Sequence, residues 1–104
     1  MKTLISSTGN TLDSSFDLRF GRARWFCLLN EENGETSFYE NDNAETSHGA
    51  GTKAVEKLMD LGATRVISGD FGPKAKELLE KFNIQMVLLS DDSRSIADII
   101  DSIK

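Results

Sequence analysis

Two short stretches of this sequence hold the residues best suited to chemistry, and both favour the binding of an anion. Segment 47–53, SHGAGTK, contains the single histidine and two glycines where a helical pattern begins. Segment 19–24, RFGRAR, places three arginines in a chain whose formal net charge is −5. Glycines beside a helix start let a ligand approach the backbone, and arginines supply fixed charge and forked donors. The imidazole of His48 is also a candidate metal ligand.

Alternating and apolar runs predict five strands that must help to position these residues. The expected strands are residues 2–8, 23–30, 35–41, 65–68 and 84–89. Asn33-Gly34 separates the second run from the third and is a strong hairpin signal. The second and third strands are therefore expected to pair in antiparallel fashion.

Apolar residues at helical spacing predict three helices, which gives the order βββαβαβα. The first begins at Gly51 and ends at Gly62, a residue type that commonly terminates helices. Pro73 suits the first turn of the second helix, since its fixed φ fits that position. Either Ser93 or Ser95 is expected to cap the third helix.

This element order implies an α/β fold with a mixed sheet covered by helices. If the fourth and fifth strands run parallel to the first, four connections leave the same sheet edge: residues 9–22, 42–49, 69–72 and 90–93. All three helices would start there with free backbone N–H groups, at the edge where open α/β sheets bind ligands. The candidate site residues on this edge are Arg19, Arg22, Asn41, Asn43, His48, Gly49, Gly51, Gly69, Asp70 and Gly72.

Length, apolar content, charge and cysteine content exclude several classes of protein. A length of 104 residues suits a single domain, expected to span residues 1–104. Its apolar runs are shorter than the roughly 20 residues of a membrane helix, and residues 1–10 do not form a signal peptide, so a cytoplasmic protein is expected. The acidic balance argues against a nucleic-acid partner. One cysteine, Cys27, excludes an intramolecular disulfide, and its apolar surroundings predict an inert, buried thiol.

Several catalytic chemistries do not fit the sequence. The segment before Lys53 lacks the first glycine of a phosphate-binding P-loop, and Gly69-x-x-Gly72 is not a dinucleotide fingerprint. Cys27 and His48 are the one thiol–imidazole pair, and the thiol is expected to be buried in a strand. Donors and cations without a general base favour a binding protein over an enzyme.

Simpler interpretations stay open for each candidate residue. His48 could be a helix-entry residue bonded to the backbone, and Gly49 and Gly51 could serve turn geometry alone. The arginine cluster could be an ordinary solvated surface. Its place beside a long connection favours a functional role, because long ordered loops commonly carry function.

Four blocks in register resemble the dinitrogenase iron-molybdenum cofactor biosynthesis family. They are residues 19–23 (RFGRA), 41–43 (NDN), 48–51 (HGAG) and 67–75 (ISGDFGPKA). The resemblance covers roughly residues 1–89. It implies a ribonuclease H-like three-layer fold with a five-stranded mixed sheet in the order 3-2-1-4-5.

The resemblance also implies a small carrier for an anionic metal-sulfur cluster. The cargo would be the iron-molybdenum cofactor, its iron-sulfur precursor or a molybdenum-copper sulfide cluster, exchanged with donor and acceptor proteins. His48 would offer an imidazole to iron or molybdenum. The alternative is a regulatory protein that binds a small anion or a nucleotide phosphate without metal, and a ribonuclease H-like hydrolase rests on fold analogy alone. The third strand is an expected sheet edge, which allows a monomer or a weak homodimer.

Overall fold

The computed structural model describes residues 1–46 and 48–103. Its elements follow the predicted order βββαβαβα. They are β1 Lys2–Ser7, β2 Trp25–Asn30, β3 Thr36–Glu40, α1 Ala50–Asp60, β4 Arg65–Ser68, α2 Pro73–Lys81, β5 Gln85–Leu88 and α3 Ile96–Ile103. Among the described residues, no helix has the length and apolar character needed to cross a lipid bilayer.

The five strands form one mixed sheet in the order β3-β2-β1-β4-β5, as the family resemblance implied. β1 pairs with β2, and β2 with β3, in antiparallel fashion. β4 runs parallel to both β1 and β5. The carboxyl ends of β1, β4 and β5 therefore lie at one edge, as the sequence argument required.

Helices cover both faces of this sheet. Successive residues of a strand point to opposite faces, so each strand contributes side chains to two apolar clusters. Leu4 of β1 packs in one apolar cluster with Val55 and Leu58 of α1 and Leu79 of α2. The next residue, Ile5, packs in a second cluster with residues of α3. The three-layer arrangement is thus α1 and α2, then the sheet, then α3.

Side chains and backbone geometry fix where the helices begin and end. Gly62 takes a φ of 78° after α1, and its N–H donates to the carbonyl of Met59. This confirms the predicted stop. At α3, the N–H of Asp98 donates to Ser95 Oγ at 3.1 Å while Asp98 Oδ2 accepts the Ser95 N–H, which is a capping box. Of the two predicted caps, Ser95 is therefore the one used.

The long connection between β1 and β2 is ordered by burial and by hydrogen bonds to the sheet. Phe16 and Phe20 are fully or almost fully buried, at 1% and 0% exposure. The N–H of Asp17 donates to the Ser6 carbonyl of β1, and the carbonyl of Leu18 accepts the N–H of Gly69 beyond β4. The segment thus fills the space between the ends of β1 and β4.

Cys27 lies in the centre of β2, where it faces Ile5 on one side and Phe38 on the other in the strand register. Its side chain is fully buried within the cluster under α3, which confirms the predicted packing role. Burial raises the pKa of the Cys27 thiol to about 12, since the apolar surroundings disfavour the thiolate.

In the Cys27→Ala variant, the free energy of unfolding should fall less steeply than in wild type as the pH rises above 9.0. The unfolded thiol ionises above its ordinary pKa of 9.0, whereas the folded thiol stays protonated until about pH 12. The unfolded state then binds fewer protons, so this thiol lowers the free energy of unfolding by up to about 1.4 kcal/mol per pH unit in that window. Urea unfolding of both proteins from pH 7 to pH 11 measures the difference. Parallel curves for wild type and Cys27→Ala would contradict the assignment.

Candidate functional site

Loops from separate parts of the chain contact each other at the carboxyl edge of the sheet. Arg19 and Asp70 form a parallel backbone bridge, and the N–H of Phe20 donates to the Asp70 carbonyl at 3.1 Å. The side-chain amide of Asn41 donates to the carbonyl of Gly21 at 3.0 Å. The connections after β1, β3 and β4 are therefore joined directly, as the topological argument predicted.

A cavity of about 540 Å³ opens at this edge, between the starts of α1 and α2. We call it the helix-start groove. Its lining consists of residues 19–22, 49–52 and 70–75. The three segments come from the connection after β1, the first turn of α1, and the loop that leads into α2.

Both helices enter the groove without a capping side chain. The N-cap residues are Gly49, with φ 74°, and Gly72, with φ 70°. Glycine adopts these angles at little cost and has no side-chain oxygen to accept the first-turn N–H groups. Neither first turn contains an acidic residue. The first-turn N–H groups of α1 and those of Lys74 and Ala75 in α2 are thus available to an anion in the groove, together with the positive dipole ends of both helices.

Close backbone packing holds the start of α1 in place. A Cβ atom added to Gly21 would lie 2.7 Å from the backbone nitrogen of Gly51. A Cβ on Gly51 would lie 3.2 Å from the Cβ of Ala75 in α2. Gly51 therefore permits close approach between the helices, which is a packing role that sequence spacing alone did not identify.

Arg19 is held at the groove by a buried carboxylate. Asp17 is 5% exposed, and its Oδ1 accepts both the backbone N–H of Arg19 at 2.9 Å and the Nε–H at 3.2 Å. The hydrogen bond and the negative charge of Asp17 raise the pKa of Arg19, so its guanidinium stays charged. This role of Asp17 was not predicted, because an aspartate two residues before an arginine does not by itself indicate an ion pair.

Arg22 contacts the connection that precedes α1. Its Nη1 donates to the carbonyl of Ala44 at 3.2 Å and also to the carbonyl of Thr46. Lys74, in the first turn of α2, supplies a third cationic side chain to the groove lining. Lys74 was not predicted as a site residue, although its position directly after Pro73 at a helix start could have indicated one.

Asn41 has a structural role. Its Nδ2 donates to the carbonyls of Gly21 and Ala23, the latter at 2.7 Å, and its Oδ1 accepts the N–H of Asn43. The backbone N–H of Asn41 donates to the Arg24 carbonyl at 2.9 Å. These bonds tie the chain after β3 to the chain before β2, and they help to explain why β2 begins two residues later than predicted.

Apart from Asn41, nine of the candidate residues were predicted to bind the ligand, and the structure brings six of these nine together in the helix-start groove. They are Arg19, Arg22, Gly49, Gly51, Asp70 and Gly72. His48 is exposed and directly precedes Gly49, but it does not itself line the groove, so it lies at the groove margin.

The other two predicted residues lie beside the groove. Asn43 accepts a hydrogen bond from Thr46 and belongs to the turn after β3. Gly69 packs against Leu18, where an added Cβ would come within 2.8 Å of Cδ2. In the described part of the chain, no group of three or more His, Cys, Asp or Glu side chains is placed to hold a bare metal ion.

The layers and the strand order define a three-layer α/β protein with a mixed five-stranded sheet, in which two uncapped helix starts lie at one sheet edge. The model of the dinitrogenase iron-molybdenum cofactor family matches residues 1–104, and the chain belongs to this family. The resemblance noted in the sequence is thereby confirmed.

Solved structures of two relatives share the fold over nearly the whole chain. The apo form of the orange protein from Desulfovibrio gigas superposes with a TM-score of 0.90 at 26% identity, covering 98% of this chain and 85% of that one. A Thermotoga protein described as a candidate NifB protein of the DUF35 family gives a TM-score of 0.83 at 28% identity, with the same coverage of 98% and 85%.

A curated relative from Methanocaldococcus jannaschii is an uncharacterised protein. It is 30% identical over 70 residues, which make up 64% of this chain. The aligned part spans 59% of the length of that relative.

Proposed function

We propose that this protein is a non-catalytic carrier that binds an anionic metal-sulfur cluster in the helix-start groove. The observation that carries the proposal is the convergence of two helix starts, both capped by glycine, on one groove that also contains Arg19, Arg22 and Lys74. Such a groove favours negative charge and offers N–H donors to the sulfides of a cluster. Membership of a family named for the iron-molybdenum cofactor supports this class of cargo.

The cargo class comprises the iron-molybdenum cofactor, its iron-sulfur precursor and a molybdenum-copper sulfide cluster. Each of these groups brings its own sulfide ligands, so a carrier needs few metal-ligating side chains. His48, at the groove margin, is the residue proposed to bind iron or molybdenum. The thiol of Cys27 is buried under α3 and is not proposed as a ligand.

The strength of these contacts suits a carrier that must release its cargo. An exposed helix start stabilises an anion by about 0.3–1 kcal/mol, and a hydrogen bond to a charged group contributes about 1.5–3 kcal/mol. A few such contacts sum to several kcal/mol. A bond from His48 to a metal would add to these contacts, so that a cluster stays bound through gel filtration until an acceptor protein offers it more ligands.

The same N–H groups would also suit phosphate, which makes a metal-free phosphate-binding regulator the second candidate. An anaerobic titration separates the two functions. The protein is mixed with iron-molybdenum cofactor, an iron-sulfur precursor, or thiomolybdate with copper, and visible absorption is followed through gel filtration. Stoichiometric retention of one cluster is expected. Retention of none, together with stabilisation by phosphate compounds, would favour the regulator.

Replacing His48 with alanine should weaken cluster retention without lowering the free energy of unfolding, because its side chain is exposed. His48→Gln serves as the matched variant, since it keeps a polar side chain and removes the imidazole. Both variants are compared with wild type in the gel-filtration assay and by urea unfolding. Equal retention by all three proteins would remove His48 from the site.

A further inference from the structure

We infer that Asp70 sets the selectivity of the helix-start groove, excluding small oxyanions such as inorganic phosphate in favour of larger anionic clusters. The inference rests on the proposed function and assigns a role to the carboxylate within that site. Asp70 is exposed and lines the groove, although the groove favours negative charge. A carboxylate in that position calls for a physical explanation.

The carboxylate already occupies the anion position at the start of α2. Asp70 Oδ1 accepts the N–H of Gly72, the N-cap residue of α2, at 3.1 Å. A phosphate bound to the free N–H groups at the start of α2 would lie close to this negative charge and would be repelled by it. Because the repulsion between two anions grows as their separation falls, a compact dianion is disfavoured most.

The remaining charges of the groove strengthen this discrimination. The positive charge of Arg19 is offset by its buried partner Asp17. The net positive charge that attracts a small anion is therefore smaller than the number of cationic side chains in the groove suggests. A metal-sulfur cluster spreads its charge over several sulfides, so less of that charge lies close to Asp70 than in a compact dianion.

A single substitution separates the charge of Asp70 from its hydrogen bond. Asp70→Asn keeps an oxygen that accepts the Gly72 N–H and removes the negative charge. The matched control is Asp60→Asn, which changes the net charge of the protein equally. Asp60 is the last residue of α1, about 12 Å along the helix from Thr52, the last groove residue of α1, by the helical rise.

The test measures binding of inorganic phosphate by calorimetry and of thiomolybdate with copper by gel filtration. Asp70→Asn should bind phosphate about tenfold more tightly than wild type, and its gain in cluster affinity should be at least about threefold smaller than its gain in phosphate affinity, while Asp60→Asn matches wild type. Phosphate affinity that is the same in both variants, or undetectable in all three proteins, would overturn the inference.

The same measurements distinguish a failure of the proposed function from a failure of the inference about Asp70. If wild type retains no cluster and Asp70→Asn still gains affinity for phosphate, the carrier function is wrong, and Asp70 excludes small oxyanions without selecting a cluster. If the cluster is retained and phosphate binding does not change, the carrier function stands and Asp70 serves only the turn before α2.

Discussion

Replacing Phe20 with alanine should lower the free energy of unfolding by about 3–5 kcal/mol, the usual cost of deleting a buried aromatic ring. The Phe20 side chain is fully buried. Its ring centroid lies 5.4 Å from that of Phe71 and 6.0 Å from that of Phe26. The ring thus connects the floor of the helix-start groove to the apolar cluster beneath α1 and α2.

The comparison for Phe20→Ala is Phe82→Ala, measured by urea unfolding under the same conditions. Phe82 is 43% exposed at the end of α2, so its removal should cost far less than removal of Phe20. Equal losses for the two variants would show that Phe20 does not anchor the connection after β1.

Replacing Gly21 with alanine should lower the free energy of unfolding by about 3 kcal/mol and should weaken cluster binding at least tenfold. The added Cβ would lie 2.7 Å from the nitrogen and 2.8 Å from the Cα of Gly51, and 3.0 Å from the carbonyl carbon of Ala50. These are backbone atoms of α1 and cannot rotate away. The first turn of α1 must therefore shift, and its free N–H groups shift with it.

Gly49→Ala is the matched control for Gly21→Ala. Gly49 has a φ of 74°, and a Cβ there would meet open space. Its substitution should cost only about 1 kcal/mol, from the left-handed backbone angle. The free energy of unfolding of both variants is measured by urea titration, and cluster retention is measured without urea, where each variant is folded. Retention by Gly21→Ala at the wild-type level would show that the position of α1 does not determine binding.

Local signals in the sequence were sufficient to predict the order of elements. Helical spacing, the hairpin signal of Asn33-Gly34 and the stop at Gly62 all act within a few residues, so they can be read without tertiary contacts. The strand order and the helix layers needed the family resemblance as well. Asn83, which adopts a φ of 59° after α2, was missed, because asparagine is a weaker helix-stop signal than glycine.

Contacts between distant segments account for what the sequence could not predict in the site. Gly21 and Gly51 are 30 positions apart, and the need for glycine at both follows from the approach of two backbones. Asp17 and Asn41 act by burial and hydrogen bonding that no spacing rule describes. The topological argument placed residues on the correct edge of the sheet. That edge is wider than one groove, so Asn43 and Gly69 lie on it without lining the groove.

The most direct test of the carrier account is to map where a cluster binds. Backbone amide resonances of nitrogen-15-labelled protein are recorded while thiomolybdate with copper, a diamagnetic probe, is added anaerobically. The account predicts that the largest shifts fall on the amides of residues 49–52 at the start of α1 and of Gly72, Lys74 and Ala75 at the start of α2, where Pro73 has no N–H. Shifts confined to β3 or α3, or no shifts at stoichiometric probe, would contradict it.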